Sequence, residues 1–60
     1  MQKGDYVKVP RFKLVQIHEV ITAKQAEKRG YNEMTFYDDG KHFVLGRWDG
    51  KEMKFAAIKR

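Results

Sequence analysis

The sequence predicts a small, mainly β domain of the α+β class, built as a curled antiparallel sheet or a partly open SH3-like or OB-like barrel of about five strands. Two Asp-Gly turn signals, at residues 39–40 and 49–50, divide the stretch 34–58 into three short apolar segments. Two more apolar segments precede a short stretch with helical character. The predicted order is therefore β-β-α-β-β-β, and a half-sandwich of the same elements is the alternative.

The first segment, residues 6–9, alternates apolar and polar side chains and ends at Pro10. Because proline has no amide hydrogen to donate to a ladder, we predict an edge strand here. Around it lie Lys3, Lys8 and Lys13, charges of the kind that discourage edge-to-edge pairing. We therefore expect a monomer, or at most a weak dimer formed by strand addition at this edge.

The second segment, residues 12–21, also favours a strand. On a helical wheel its apolar residues scatter around the whole circumference, and four of its ten residues are β-branched. Apolar side chains occur on both faces of this strand, which predicts a bulge, a bend or cover on both sides. One face carries Val15, Ile17 and Ile21, and the other carries Phe12, Leu14 and Val20.

A short helix is predicted near residues 22–29. The Thr22 hydroxyl can accept a hydrogen bond from the Gln25 amide while the Gln25 side chain reaches back, which is the arrangement of a capping box. Good helix formers follow, and Gly30 is a suitable stop. Because this helix contains few apolar residues, we expect it to lie shallowly on the sheet or to close one end of the barrel, with Tyr31 packed at its exit.

The three C-terminal segments are expected to form an antiparallel meander. A two-residue turn at Asp39-Gly40 pairs Phe36 with Phe43. A two-residue second turn would put the apolar sets on opposite faces, so we predict a three-residue loop, 48–50, that pairs Phe43 with Phe55. This register gives one continuous apolar face. Its members are Met34, Phe36, Phe43, Leu45, Met53 and Phe55, with Val15, Ile17 and Ile21 packed onto them.

The other face of the meander is expected to be solvated or to bind a partner, with Tyr37 beside His42. Gly46, alone inside a strand, predicts a bend or the close approach of a ring or backbone. At the end of the chain, the basic residues Lys59 and Arg60 are expected to fray.

Size and composition exclude several classes of protein. A chain of 60 residues forms one domain, residues 1–60, and is too small for a deep active-site cleft. It contains no cysteine, and no apolar run approaches the roughly 18 residues that span a bilayer. We expect a cytoplasmic protein that is soluble and does not bind membranes.

No pattern in the sequence predicts catalysis. Serine and cysteine are absent, and the two threonines fall in a helix cap and a strand. The two histidines are not spaced to bring metal ligands together, and the five glycines are isolated rather than grouped in a phosphate loop. We therefore predict that the protein is not an enzyme and has no catalytic residues, no cofactor and no metal site.

The functional prediction depends on the surface. A net charge of +5 and a pI near 9.7 favour polyanionic partners. Cations interleaved with aromatic rings are what a sheet needs to neutralise phosphates and stack bases. We predict a small basic nucleic-acid-binding or regulatory protein that prefers single strands, since no predicted helix is long enough to enter a major groove. The predicted binding residues are Tyr37, Lys41, His42, Arg47, Trp48, Lys51 and Lys54.

The alternative is a non-catalytic protein-interaction module. Such an accessory or inhibitor domain would present Trp48, Tyr37 and the exposed edge strand to a partner protein or to its own copy. Salt separates the two functions, because phosphate contacts weaken steeply as ionic strength rises and a Trp-centred protein interface does not.

Overall fold

The computed structural model describes residues 1–31 and 35–60. Its elements are strands β1 (Tyr6–Val9) and β2 (Lys13–Ile21), helix α1 (Ala23–Lys28), and strands β3 (Tyr37–Asp38), β4 (His42–Trp48) and β5 (Met53–Lys59). The predicted order of elements, including the helix near 22–29, is confirmed.

The five strands form one sheet in the order β1-β2-β5-β4-β3, which curls into a nearly closed barrel. The partly open barrel predicted from the sequence is therefore confirmed. The sheet is mixed rather than wholly antiparallel, because β2 and β5 run parallel while the other neighbours are antiparallel. One seam remains unsealed, and the two edge strands that border it are β1 and β3.

The irregularity predicted in β2 is a bulge. Between Ile17 and Glu19 the pairing of β2 with β5 skips one residue, His18. An extra residue reverses the alternation of side chains along a strand. Val20 therefore packs toward the barrel interior together with Ile17, while Ile21 packs outward against the helix layer. The prediction that Ile21 shares a face with Ile17 is wrong for this reason.

Helix α1 begins at the predicted capping box. The Gln25 amide donates to the Thr22 hydroxyl at 3.2 Å, and the Thr22 amide donates to Gln25 Oε1 at 3.0 Å. The helix buries Ala26, which packs with Tyr31 on the outer face of the sheet, so the predicted shallow packing is confirmed. The outer cluster consists of Ile21, Ala26, Tyr31, Ala56 and Ile58, flanked by Phe43 and Leu45.

The barrel interior holds a separate cluster. Strand β5 contributes to both clusters, because Phe55 and Ala57 face the interior while Ala56 and Ile58 face the helix. This central strand is therefore buried on both faces, which explains its continuous run of apolar residues. The interior cluster consists of Val9, Val15, Ile17, Val44, Phe55 and Ala57.

Three phenylalanine rings close one end of the interior. The centroids of Phe12, Phe36 and Phe55 are separated by 5.4, 5.3 and 5.5 Å, all with edge-to-face geometry. Gly46 lies against this group, and a β-carbon there would approach Phe36 Cε2 to 2.8 Å and Met53 Cε to 2.6 Å. The close approach predicted at Gly46 is confirmed.

The predicted register of the meander is wrong. Phe43 lies opposite Asp38 rather than Phe36, and opposite Ile58 rather than Phe55. The shift in the second hairpin is odd and exchanges the faces, so Phe43 packs in the outer cluster while Phe55 packs inside. The shift in the first hairpin is even, but the Phe36 amide donates to the carbonyl of Val44, the residue that also pairs with Tyr37, and this irregularity turns Phe36 to the interior. Met34, which the prediction placed on the same face, lies outside the described residues.

The first turn shows why the register shifts. The Asp39 carboxylate accepts hydrogen bonds from the amides of Lys41 at 2.9 Å and His42 at 2.7 Å. The Asp39 amide donates to the His42 carbonyl at 3.1 Å, so these two residues flank the loop. Gly40, with a φ of +89°, takes the first loop position, where a positive φ favours glycine.

The second turn repeats this chemistry. The Asp49 carboxylate accepts hydrogen bonds from the amides of Lys51 at 2.9 Å and Glu52 at 2.8 Å, and Gly50 has a φ of +99°. The loop therefore consists of Gly50 and Lys51, and the predicted three-residue loop 48–50 is wrong. The acidic side chain acts as a flanking acceptor at both turns, which moves glycine from the second loop position to the first.

The C-terminus is anchored rather than frayed. The Arg60 guanidinium forms a salt bridge with the Asp38 carboxylate, and the Arg60 amide donates to the Lys41 carbonyl at 3.2 Å. Its guanidinium carbon also lies 5.0 Å from the ring centroid of Phe43. Lys59 belongs to β5. The predicted fraying of Lys59 and Arg60 is wrong, because Lys59 pairs with His42 and Arg60 binds Asp38 of β3 and Lys41 of the loop before β4.

Lys13 is the single non-glycine residue with a positive φ, +66°, in the part of the chain that the structure describes. A side chain in this region costs roughly 1–2 kcal/mol relative to glycine. We therefore expect Lys13→Gly to raise the free energy of unfolding by about 1 kcal/mol, part of the gain being offset by the flexibility of glycine in the unfolded chain. Urea denaturation measures it. Lys8→Gly, in a regular strand, should instead destabilise, and equal losses for both variants would contradict the prediction.

Candidate nucleic-acid interface

The predicted binding residues fall toward opposite ends of the barrel. Because β2 and β5 run parallel, the loops that precede them, 10–12 and 49–52, lie at the same end, which we call the two-loop end. Residues 42 and 48 mark the ends of β4 and are separated by roughly 20 Å of extended chain. Arg47, Trp48, Lys51 and Lys54 lie toward the two-loop end, and Tyr37, Lys41 and His42 lie toward the other.

Tyr37 and His42 do not lie side by side. Tyr37 is opposite Val44, whereas His42 is opposite Lys59. The Tyr37 ring is partly buried and packs against the interior cluster. The predicted pairing of these two side chains is wrong because it depended on the incorrect turn.

Three large apolar side chains are exposed at the two-loop end. The exposed fraction is 60% for Trp48, 58% for Leu14 and 42% for Phe12. Isolated exposed apolar residues are common on protein surfaces, but several at one end are typical of an interaction site. Phe12 is held in place by its edge-to-face contacts with Phe36 and Phe55. A rigid aromatic ring that is partly open to solvent is a suitable surface for stacking.

Lysines surround these apolar side chains. Lys8 lies directly opposite Leu14 across the β1–β2 pair, and Lys13 starts β2. Both border an apolar patch formed with Val9, Pro10 and Leu14. Lys51 occupies the tip of the other loop. The aliphatic stems of Lys8 and Lys13 can cover such a patch while their ammonium groups stay in water.

Two of the predicted cations make contacts within the protein. Lys54 Nζ lies 3.2 Å from Glu52 Oε1. Arg47 Nη1 donates to the Arg29 carbonyl at 3.4 Å, and the guanidinium carbon lies 5.4 Å from the ring centroid of Tyr31. Arg47 therefore stabilises the C-terminal end of the helix. Lys54 forms an ion pair with Glu52, which partly neutralises its charge.

A groove of about 330 Å³ opens on the β2 side of this end. The first pair between β2 and β5 is Ile17 with Phe55, so the earlier residues of the two strands diverge. Apolar walls come from Phe12 and Leu14, next to polar groups on both strands. The polar side chains that line the groove are Gln16, His18, Glu52 and Lys54.

A partly buried polar cluster, formed by Glu19, Arg29 and Tyr31, lies on the outer face of the sheet. The Tyr31 hydroxyl donates to Glu19 Oε2 at 2.6 Å, and Tyr31 is 2% exposed. Burial, followed by the hydrogen bond to Glu19, raises the pKa of Tyr31 to about 12. The same hydrogen bond, with the charge of Arg29, lowers the pKa of Glu19. Because Tyr31 has almost no exposed surface, this cluster serves stability rather than ligand binding.

The carboxylates of the two turns, Asp39 and Asp49, accept hydrogen bonds from backbone amides. Hydrogen bonds from the amides of His42 and Lys41 lower the pKa of Asp39, and those of Glu52 and Lys51 lower the pKa of Asp49. Within residues 1–31 and 35–60, no three His, Cys, Asp or Glu residues are grouped as metal ligands. No helix in the same part of the chain is long and apolar enough to cross a membrane.

Sequence reasoning missed Lys8, Phe12, Lys13 and Leu14 as surface residues of this site. The sequence leaves open whether the face of β2 that carries Phe12 and Leu14 is covered, and the helix covers a different part of the sheet, over β5 and the end of β2. One available signal was the position of the turns. Successive turns of a meander lie at opposite ends, so the loops at 40–41 and 50–51 could not contribute to one small site.

Comparisons with protein-family models, curated proteins and solved structures gave no match for this chain.

Proposed function

We propose that this protein binds single-stranded nucleic acid through the two-loop end, without catalysing a reaction. The observation that supports this best is the exposure of Trp48, Phe12 and Leu14 at the end that also carries Lys13 and Lys51. Aromatic faces stack on any base, and lysines neutralise phosphates without regard to sequence. Binding is therefore weakly sequence-selective.

Single strands suit this surface better than duplexes. Helix α1 has six residues, which is too short to place a recognition surface in a major groove. The groove beside Phe12 offers apolar walls and polar side chains to one splayed base, and only an unpaired strand presents splayed bases.

The backbone at Lys13 adds support. Its left-handed conformation would be less costly for glycine, so a lysine there carries a conformational cost. A contact between the Lys13 ammonium group and a phosphate would explain why lysine rather than glycine stands at this position.

The remaining predicted contacts stay part of the proposal as an extended footprint. Lys41 and His42 lie at the far end of β4, roughly 20 Å from Trp48, so only a longer oligonucleotide would reach them. Tyr37 packs against the interior cluster and would offer only its partly exposed edge. Arg47 and Lys54 would contribute charge along the way. We place the protein in the cytoplasm as a monomer, in keeping with its lack of cysteine.

Trp48→Ala is expected to weaken binding of a labelled single-stranded oligonucleotide by roughly 1–3 kcal/mol, because a stacking surface is lost. The dependence of log K on log salt should stay nearly unchanged, since no cation is removed. Fluorescence anisotropy at two salt concentrations measures both quantities. Duplex DNA of the same length should bind more weakly.

Lys51→Ala should weaken binding to all sequences alike and lower the salt slope by about one. Lys24→Ala is the matched control, because Lys24 is an exposed lysine on α1, away from the two-loop end. An equal effect of both variants would indicate unspecific attraction to a basic protein. Absence of binding to any oligonucleotide at low salt would refute the proposed function.

The unsealed seam favours a second function, that of a non-catalytic protein-interaction module. Its bordering strands, β1 and β3, each have one unpaired edge among the described residues. This function uses a surface other than the two-loop end, and binding at the seam should be less sensitive to salt than binding of phosphates.

A further inference from the structure

The seam between β1 and β3 is an open groove of about 440 Å³, and Met1 lines it and packs against the interior cluster. Val7 and Tyr37 border it from opposite sides, and both remain partly exposed although they pack against the interior cluster. A further strand in this groove would cover both side chains and complete the barrel. Closure would also remove two sheet edges, which are otherwise open to pairing.

The backbone of β1 has free hydrogen-bonding groups directed into the groove. The Ile17 amide donates to the Asp5 carbonyl at 2.8 Å, so this carbonyl points toward β2, while the Asp5 amide donates to the Gln2 carbonyl at 3.0 Å just before the strand begins. Along a strand in an antiparallel pair these groups alternate in direction. Those of Val7 therefore also point toward β2, and those of Tyr6 and Lys8 point into the seam. Two amides and two carbonyls are thus presented to an incoming strand.

We propose that the seam binds an extended peptide segment of a partner protein by strand addition to β1. The occupant is a single strand with both edges free. A folded second copy of the chain does not fit: if its β1 entered the seam, its β2 would occupy the position of β3 in the first copy. This inference does not depend on nucleic-acid binding, because the seam and the two-loop end are different surfaces.

The side chains around the seam define the partner further. Val7 and Tyr37 call for apolar residues on the inward face of the peptide. On the outward face Tyr6, 65% exposed, and Lys8 favour acidic residues, in keeping with the net charge of +5. Two carboxylates, those of Asp5 and Asp39, also line the groove and reduce this attraction, so the preference for acidic residues depends on the net charge of +5. The expected segment alternates acidic and apolar residues.

A titration of the whole protein with a peptide probe tests this inference. The probe is an acetylated and amidated peptide, Glu-Val-Glu-Val-Glu-Val-Glu, followed by amide chemical shifts. We expect saturable shifts centred on residues 6–8 and 37, and slower hydrogen exchange at the amides of Tyr6 and Lys8. A fully N-methylated peptide with the same side chains should not bind. Equal binding of the N-methylated peptide, no saturable shifts, or shifts centred on the two-loop end would overturn the proposal.

A pair of variants separates backbone pairing from side-chain contact. Tyr6→Pro removes an amide that points into the seam and takes no part in the β1–β2 ladder, a position at which an edge strand tolerates proline. Tyr6→Val removes the same side chain and keeps the amide. We expect Tyr6→Pro to bind the peptide about tenfold more weakly than Tyr6→Val. Equal affinity would contradict strand addition, and if Tyr6→Pro fails to fold, the hydrogen exchange of the Tyr6 and Lys8 amides decides.

Discussion

Phe55→Ala is expected to unfold a large fraction of the protein at 25 °C. Phe55 is the buried member of the three-ring group and lies in the central strand β5. Removal of a buried phenylalanine ring costs about 3–5 kcal/mol, because apolar contacts are lost and a cavity remains. A domain of this size has a total stability of roughly 3–9 kcal/mol. Urea denaturation followed by far-UV circular dichroism measures the loss.

Phe12→Ala is the matched control in the same group of rings. Phe12 is 42% exposed, so its replacement removes less buried area and should cost about 1–2 kcal/mol. The two variants therefore test whether burial or ring contact dominates the stability of this end of the barrel. Similar losses for both would show that the group is not organised around Phe55.

Local chemistry in the sequence is sufficient for several elements. The hydroxyl and amide of Thr22 and the side chain of Gln25 fix the start of α1 without help from the rest of the chain. Pro10 ends β1 for an equally local reason. The apolar residues on both faces of β2 predict a bulge, a bend or cover on both sides, and the structure has the first of these, a bulge at His18.

The register could not be obtained from the Asp-Gly pairs alone. Both residues of such a pair can occupy a loop, or the acidic residue can flank it and accept hydrogen bonds from the next two amides. The second arrangement occurs at Asp39 and Asp49. The sequence did contain one signal that β5 is a central strand. Its residues 55–58 are all apolar, which is typical of a strand covered on both faces, and the structure buries all four.

The candidate site was only partly predictable because it depends on long-range pairing. No local pattern indicates that β5 returns to lie parallel to β2, yet this pairing brings the two loops to one end. Trp48 and Lys51 were found from residue type and turn position. Phe12 and Lys13 required knowledge of which part of β2 the helix leaves uncovered.

The buried hydroxyl of Tyr31 predicts a loss of stability in alkaline solution. Its pKa is about 12 in the folded protein, raised by burial and by the hydrogen bond to Glu19, and near 10 in the unfolded chain. The folded state therefore holds this proton more tightly. The stabilisation of the folded state by this hydroxyl is fully present below pH 10 and is lost as the pH rises through about 12. A shift of this size corresponds to about 2–3 kcal/mol of unfolding free energy.

Tyr31→Phe isolates the contribution of this hydroxyl. At pH 7 the variant should be less stable by about 1–2 kcal/mol, because Glu19 loses a buried donor and keeps the salt bridge with Arg29. Between pH 10 and 12 the difference from the wild type should shrink as the native tyrosine ionises. Tyr6→Phe, at an exposed position, should show no such convergence. Urea denaturation across this pH range measures both, and a constant difference between the wild type and Tyr31→Phe would mean that the hydroxyl is not held as the structure indicates.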